Sequence, residues 1–331
     1  MIKDIMNDAY RTLKELFGDR MRTDVFLAPY TTYKIGGPSD LFYEARTKEE
    51  LIRVIIEAQK LHIPYIVLGG GTNILVSDTG VRGLVVRNMA SGIAIKGMKG
   101  KVQGTQNASI IYLEADAGVP FNRLVRFTLD EGLRGLEMHL GLPGSVGGAV
   151  AMNSKWTHLQ GFVGDVVYQA EILTPEGDVR TVDAQYFKFS YGKSILPKSK
   201  DILLSVVFAL KRDSKEAVWK IANESISYRR ETQPQGVSTA GCVFKNISKA
   251  EALVANTPNG TMSAGFLLDK SGCKDMHVGD AFVSPVHANF VVNKGKATSS
   301  DMIQLIARMK QKVKETFGVT LKEEIQFVGT F

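Results

Sequence analysis

The sequence predicts an α+β protein of more than one domain, and three features point to it. A chain of 331 residues exceeds the size at which a single hydrophobic core usually stops growing. Between residues 31 and 87, short β-branched runs alternate with one clear amphipathic helix, whereas residues 91–212 are dominated by strand patterns. Two glycine-rich loops, Gly69–Gly71 and Gly141–Gly148, break those patterns between apolar segments.

Taken in order, residues 1–22 read as an amphipathic helix with Ile5, Ala9, Leu13 and Phe17 on one face, ending near Gly18, and are expected to be an N-terminal appendage. Residues 23–90 form the first expected subdomain. There, 40–45 is an expected strand and 48–61 an expected helix whose Leu51, Val54, Ile55, Ala58 and Leu61 share a face, stopped by Pro64. Runs 65–68 and 84–86 are strands on either side of the first glycine loop.

Residues 91–213 form the second expected subdomain. Its clearest strands are 111–117 and 166–173, with a helix over 120–132, a turn at 174–178, a return strand at 179–182 and a closing strand at 203–210. The third region, 214–331, opens with a helix to Tyr228. Its safest element is a helix over 301–317, with Ile303, Ile306, Met309, Val313 and Phe317 at helical spacing, Ser299 or Ser300 as N-cap and Gly318 just past the end. The tail 321–328 alternates as a strand.

Composition narrows the class. Hydrophobic residues at 44% and charged residues at 23% are ordinary for a globular enzyme. No apolar run reaches the roughly 18 residues of a membrane span, and Met1-Ile2-Lys3-Asp4 opens no signal peptide, so a cytoplasmic protein without a membrane partner is expected. Cys242 and Cys273 lack metal-ligand spacing and make no disulfide framework, so both are expected as reduced thiols and no metal site is expected. The net charge of +7 is spread without an Arg/Lys block or interleaved aromatics, which argues against a nucleic-acid surface and suits an anionic small molecule.

The first loop, Gly69-Gly70-Gly71-Thr72-Asn73-Ile74, strips the backbone of Cβ atoms between strands, and successive N–H groups in such a turn can form an anion-binding concavity. It matches neither G-x-G-x-x-G nor G-x-x-x-x-G-K-[ST], and alone it reads equally well as a tight hairpin. The second loop, Gly141-Leu142-Pro143-Gly144-Ser145-Val146-Gly147-Gly148-Ala149, again suggests close backbone approach, either to something flat or to another chain segment. Together the loops suit one extended ligand, for which a dinucleotide is the natural candidate.

Further on, Thr239-Ala240-Gly241-Cys242-Val243-Phe244-Lys245-Asn246 places small residues around a thiol with Lys and Asn just beyond, as a reactive group beside an anion site would. The alternative is a buried cysteine in a glycine turn. His287 and Asn289 fall on one face of an expected strand over 283–293, where such a pair can equally satisfy neighbouring backbone.

With these pieces in hand, the chain resembles the UDP-N-acetylenolpyruvoylglucosamine reductase (MurB) family, in its shorter subclass. The resemblance rests on the Gly69–Asn73 loop, Pro143–Ala149, Tyr228-Arg229-Arg230 with Gln233-Pro234, Gly241-x-x-Phe244-Lys245-Asn246, Ser284-x-x-His287-Ala288-Asn289-Phe290-x-x-Asn293 and Leu321-x-x-Glu324. It covers residues 22–329 and implies a two-lobed FAD-binding fold of the MurB and vanillyl-alcohol-oxidase type plus a C-terminal α/β substrate-binding domain.

The resemblance also implies a reaction: NADPH reduces FAD, and the enolpyruvyl ether of UDP-N-acetylglucosamine is then reduced to UDP-N-acetylmuramate for peptidoglycan synthesis. Such chemistry needs a cation or acid aimed at the substrate carboxylate and an acid within reach of C2. Carried over residue by residue, the family's proton-donating serine falls on Cys242 and its glutamate on Glu324, where a solvated carboxylate is the alternative. FAD contacts fall on Gly69, Gly70, Gly71, Thr72, Asn73, Ile74, Pro143, Gly144, Ser145, Gly147, Gly148 and Arg229. Substrate contacts fall on Tyr191, Lys245, Asn246, His287 and Asn289, and a monomer is expected.

Two departures stand out. The family pattern Phe-Gly-Tyr-Arg-x-Ser reads Phe189-Ser190-Tyr191-Gly192-Lys193-Ser194 here, so Gly192 replaces the stabilising arginine and Lys193 is the candidate substitute, without the planar two-toothed grip of a guanidinium. Where the family runs Asn-Ala-Gly-Ala-Tyr-Gly, this chain has Asn153-Ser154-Lys155-Trp156-Thr157-His158-Leu159-Gln160-Gly161, and Trp156 is expected to reshape the nicotinamide or substrate face. The arginine loss keeps open a divergent flavin oxidoreductase acting on another substrate. A flavin- or nucleotide-binding protein without turnover is the other alternative.

Overall fold

The computed structural model describes residues 2–99, 109–156 and 161–331, with side chains from residue 8. In chain order it runs α1 (Ile2–Phe17), β1 (Arg22–Phe26), β2 (Pro38–Ala45), α2 (Lys48–Lys60), β3 (Tyr65–Leu68), β4 (Ile74–Val76), β5 (Val81–Asn88) and β6 (Ile93–Lys99). Then come β7 (Ile110–Asp116), α3 (Phe121–Asp130), β8 (Leu133–Arg134), α4 (Val146–Ala151), β9 (Lys155–Trp156), β10 (Gly161–Phe162), β11 (Val167–Leu173) and β12 (Val179–Asp183). The remainder is α5 (Leu196–Ser199), β13 (Ile202–Arg212), α6 (Lys215–Thr232), α7 (Lys249–Val254), α8 (Ala264–Lys270), β14 (His277–Val278), β15 (Ala281–Val283), β16 (Val291–Asn293), α9 (Ser299–Phe317) and β17 (Gln326–Val328). Packing gathers these into two compact units.

The first unit comprises Met1–Arg22, Leu41–Gly70 and Leu84–Arg229. Thr47 caps α2 by accepting from Glu50 N at 3.2 Å, and Glu49 and Glu50 in the first turn with Lys60 in the last complement the helix dipole. The apolar stripe Leu51, Val54, Ile55 and Ala58 is buried as its spacing requires. The helix ends at Lys60, with His62 at φ +53, so a left-handed residue rather than Pro64 stops it. β3 runs parallel to β5 beneath this helix's core.

α1 is no appendage. Leu13 is fully buried in the core shared by α2, β2 and β5, with Ala9, Tyr10 and Phe17 packed on it, and Arg20 holds Glu50 through two bonds of 2.6 and 2.7 Å. Ile5 falls outside the described side chains.

The second core of this unit lies under an antiparallel sheet of order β12-β11-β13-β7-β6. On β7, Ile111, Leu113 and Ala115 point into it while Tyr112 and Glu114 take the other face, the period-2 pattern of a half-buried strand. Residues of α3, α4 and α6 complete the core, Val218 and Ala222 among them. Expected to open the third region, α6 therefore packs with the second, and it runs four residues past Tyr228. Its inward positions acquire meaning only against the sheet they cover. Leu173, Ile202 and Leu204 reach the first core, and Lys48 bonds Glu171 at 2.8 Å, so 41–70 and 84–90 of the first expected subdomain share a unit with the second, whereas 23–40 and 71–83 fall in the other unit.

The second unit comprises Thr23–Asp40, Gly71–Gly83 and Arg230–Phe331. α9 is capped by Thr298, not Ser299 or Ser300: Asp301 N donates to Thr298 Oγ1 at 3.0 Å and Thr298 N to the Asp301 carboxylate at 2.9 Å. Ser299 is engaged by Asp78, whose carboxylate accepts from its hydroxyl at 2.8 Å. Gly318, at φ +69, ends the helix as expected. β14, β15 and β16 form an antiparallel sheet, and β17 runs parallel to β4.

Two strand expectations shrink here. Only 326–328 of the tail is strand, because 322–324 instead crosses the 243–245 segment irregularly. The run 283–293 breaks into β15, a turn and β16, with Phe290 N bonded to His287 O at 2.9 Å after Pro285 interrupts the donors. The first glycine loop is not a hairpin either, since β3 pairs with β5 and β4 with β17.

Candidate active site

In the first unit the two glycine loops meet. Ser145 caps α4, its Oγ accepting from Gly148 N at 3.2 Å, and it is buried. A Cβ on Gly69 would lie 2.3 Å from that oxygen, so only glycine permits the approach. Gly144, at φ +110, gives its carbonyl to Phe121 N. Gly147 donates to Ala117 O at 2.8 Å and a Cβ there would sit 3.1 Å from the same oxygen, so the close approach expected at Gly147 is to another chain segment. Gly70, Pro143 and Gly148 remain exposed, which leaves bare backbone facing outward beside the buried contact. The Gly147 and Gly148 N–H groups are used inside the protein and Pro143 has none, so what this edge offers is Cβ-free surface at Gly70 and Gly148 against which a flat ring such as that of FAD can lie.

Arg229 closes this region. It is buried, its guanidinium carbon stands 3.8 Å from the centre of the Trp156 ring, and its Cδ packs 3.4 Å from where a Gly141 Cβ would be. Trp156 is itself buried, edge-on to Tyr228, rather than presented as an exposed face. Thr157–Gln160 lie outside the described residues. His139, just ahead of the second loop, is fully buried, and among the described residues neither ring nitrogen has a hydrogen-bond partner. Burial first, and the Arg229 charge second, bring its pKa down to about 3, so it is neutral.

Tyr191, Gly192 and Lys193 form an exposed turn of the same unit. Ser190 and Lys193 exchange two backbone bonds of 3.1 Å, and Gly192 between them has φ +61. Lys193 is exposed, while the Tyr191 ring carries Lys155 Nζ 4.6 Å from its centre. The turn is anchored by Asn153, which donates to Ser190 O at 3.0 Å and accepts from Gly164 N at 2.9 Å. Sequence reasoning missed this anchor; the available signal was a single Asn directly after a small-residue helix, the usual place for a left-handed residue, and Asn153 has φ +41.

The second unit holds two of the three catalytic candidates, Cys242 and Glu324. Segment 242–245 lies between the turn at 284–289 and the stretch 322–324: Cys242 bridges Phe290, Phe244 bridges Glu323, and Glu324 N donates to Val243 O at 2.7 Å. Asn289 clamps it, its Oδ1 accepting from Phe244 N at 2.9 Å and its Nδ2 donating to Phe244 O at 2.8 Å. Both amide atoms are used inside the protein, so Asn289 shapes the Cys242 loop instead of presenting its side chain to a ligand. His287 accepts from Asn289 N through Nδ1 at 3.2 Å, and burial pushes its pKa down. Asn246 Oδ1 accepts from Ala264 N at 3.1 Å, holding the start of α8.

Glu324 is not the solvated carboxylate of the alternative reading. Burial raises its pKa, partly offset by the positive charge of Lys245. Asn73 Nδ2 donates to Glu324 O at 3.1 Å and Gln326 N to Asn73 O at 2.9 Å, so the end of the glycine loop is tied to this carboxyl's backbone. Gly71 belongs to the same knot: at φ +61, a Cβ would lie 2.1 Å from Tyr30 O. Thr72 is half-buried beside it and Ile74 opens β4. Cys242 is half-buried, and neither it nor Cys273 is in a disulfide. Cys273 is a buried thiol, pushed up to about 11 by burial. Among the described residues no cluster of His, Cys, Asp and Glu could hold a metal ion, and no helix is long and apolar enough to cross a membrane.

Residues 39–183 match the FAD binding domain family, and residues 233–328 match the family described as UDP-N-acetylenolpyruvoylglucosamine reductase, C-terminal domain. The UDP-N-acetylenolpyruvoylglucosamine reductase of Desulfosudis oleivorans is 34% identical over 331 residues, covering 98% of this chain and 100% of that protein. The chain belongs to the UDP-N-acetylenolpyruvoylglucosamine reductase (MurB) family. Another MurB relative, from Halalkalibacterium halodurans, is 34% identical over 324 residues, covering 98% and 99%. The crystal structure of MurB from Thermus caldophilus matches with a TM-score of 0.73 at 34% identity, covering 93% of this chain and 99% of that one. The expected FAD-binding fold with a MurB C-terminal domain is thus borne out.

Proposed function

We propose that this MurB family member reduces the enolpyruvyl ether of UDP-N-acetylglucosamine to UDP-N-acetylmuramate with electrons from NADPH, using Cys242 as proton donor and Glu324 to stabilise the charge that develops. The observation that carries this reading is the backbone bond from Glu324 N to Val243 O, which holds the carboxyl beside the thiol's own segment. Bound FAD supplies the hydride that adds to C3. The exposed backbone at Gly70, Pro143 and Gly148 and the stacked Arg229 are the residues that would hold it.

Hydride addition at C3 drives negative charge onto C2 and the adjoining carboxylate. A thiol, with an ordinary pKa of about 8.5, is protonated at neutral pH and more acidic than the alcohol it replaces, so Cys242 can deliver a proton to C2. Glu324 has its pKa raised by burial, partly offset by the positive charge of Lys245, so it can share a proton with the developing enolate. Lys193, on its exposed turn, is the proposed point charge for the substrate carboxylate. The chain is proposed to work as a cytoplasmic monomer.

Anaerobic titration tests the whole reading. NADPH should bleach the yellow holoprotein, and the enolpyruvyl substrate should restore the oxidised spectrum. Bleaching without reoxidation by that substrate would transfer the chain to the second reading, a divergent flavin reductase. That reading is favoured by one observation, the left-handed Gly192 at the arginine position.

A further inference from the structure

The proposed reaction leaves Lys155 without a task. This residue opens β9 and is half-buried. Its ammonium rests on two rings, with Nζ 4.6 Å from the centre of Tyr191 and 5.4 Å from that of Phe162, its cross-strand partner. Among the described residues it makes no ion pair. A ring face holds an ammonium charge without filling its three N–H donors as a carboxylate would, so the group stays ready for an anion.

The chain brings Lys155 to this place by alternation. Ser194 Oγ donates to Ala151 O at 2.8 Å, Asn153 Nδ2 donates to Ser190 O at 3.0 Å, and Lys155 Nζ meets the Tyr191 ring. Residues 151, 153 and 155 therefore all engage the turn at 190–194. They follow directly on α4, the helix that Ser145 of the second glycine loop caps. Lys193 lies on the same turn, tied to Ser190 by two backbone bonds of 3.1 Å. Neither Asn153-Ser154-Lys155-Trp156 nor Phe189-Ser190-Tyr191-Gly192-Lys193-Ser194 contains an acid. Two cations at one turn with no acid in either segment raise the local positive potential and favour an anion there.

We propose that Lys155 Nζ binds the carboxylate of the sugar-nucleotide substrate alongside Lys193, two ammonium groups supplying from separate segments the grip that one guanidinium would give. This deepens the proposed reaction and rests on its substrate. Tyr191 then acts from beneath, its ring holding the Lys155 charge in place.

The experiment is calorimetric titration of the holoprotein with two sugar nucleotides that share the diphosphate and differ in the carboxylate. UDP-N-acetylmuramate carries it and UDP-N-acetylglucosamine does not. Lys155→Met, which keeps the apolar stem, should weaken binding of the first about three- to tenfold and leave the second unchanged. The loss should shrink as salt rises, which a purely structural role would not produce. Lys155→Arg should keep most of the preference for the carboxylate. Equal weakening of both ligands would assign the charge to the diphosphate or to structure alone and overturn the proposal, as would weakening of neither. Should Lys155→Met not fold, acetylation of Lys155 by acetic anhydride in the wild type, read by peptide mass, decides. Stronger protection by UDP-N-acetylmuramate than by UDP-N-acetylglucosamine supports the proposal, and equal protection overturns it. Neither measurement involves turnover, so a wild type that the enolpyruvyl substrate fails to reoxidise would strike the proposed reaction alone.

Discussion

Gly69 approaches Ser145 so closely that any other residue would place its Cβ 2.3 Å from the serine oxygen. That oxygen can move only by giving up its bond from Gly148 N, which starts α4, and the Ser145 Cβ behind it would still lie 3.3 Å away. The contact makes one rigid edge out of two loops distant in sequence. Gly69→Ala should therefore destabilise the protein by about 1–3 kcal/mol through overpacking and release FAD. Ser145→Gly alone should cost only a few tenths of a kcal/mol at the cap. Combined with Gly69→Ala it should recover part of the loss, since the clash partner is gone. Melting temperatures and retained flavin absorbance for the four proteins check this; strict additivity would deny the contact its role.

Glu324 is a carboxyl whose folded pKa lies above its unfolded value because burial opposes ionisation. A raised pKa means that the folded chain holds the proton more tightly, so stability is fully present below the ordinary carboxylate pKa and falls as pH rises through the folded one. Glu324→Gln removes that loss. It should melt higher than the wild type at pH 7–8, with the advantage shrinking as pH falls toward the carboxylate range, while turnover drops about a hundredfold. A lower melting temperature at pH 8 would contradict the buried environment.

Much of this was legible in sequence, for reasons that differ by residue. The stripe of α2 follows from spacing, because packing on a core needs only one helical face; on α9 the expected Ile306, Met309 and Val313 are buried, but Met302 and Leu305 join them while Ile303 and Phe317 are only partly buried. The cap of α9 was not, since Ser299 is claimed by Asp78 far back in the chain. Gly147 illustrates the same limit: its pattern announces a close approach, but only the fold names Ala117 as the partner. At the site, Cys242 and Glu324 came together only through family resemblance, because the Val243–Glu324 bond joins segments that no local pattern relates. Asn289 looked like a ligand residue and is a backbone clamp, a distinction carried by burial alone.

His139 should impose an acid limit on the first unit. Its folded pKa of about 3 lies below the ordinary 6.5, so it contributes stability above pH 6.5 that is lost as pH falls toward 3. Replacing it by Leu removes the buried ring nitrogens and the group that must be protonated on unfolding. His139→Leu should therefore show a shallower fall in melting temperature between pH 6.5 and 4 than the wild type. Parallel curves would mean that acid sensitivity has another origin.

The turn at Gly192 separates two ways of replacing the family arginine. With φ +61, position 192 suits glycine, and an arginine there would carry about 1–2 kcal/mol of left-handed strain. Gly192→Arg should thus melt lower without faster turnover, since the strained backbone opposes the geometry the guanidinium needs. Lys193, next in the turn and exposed, is the cation the chain does present. Lys193→Ala should lower kcat/KM for the enolpyruvyl substrate at least tenfold while leaving NADPH-dependent bleaching intact, and Lys193→Arg should restore part of it. If Lys193→Ala turns over normally and Gly192→Arg turns over faster, the carboxylate is held without Lys193 and the arginine position has kept its role.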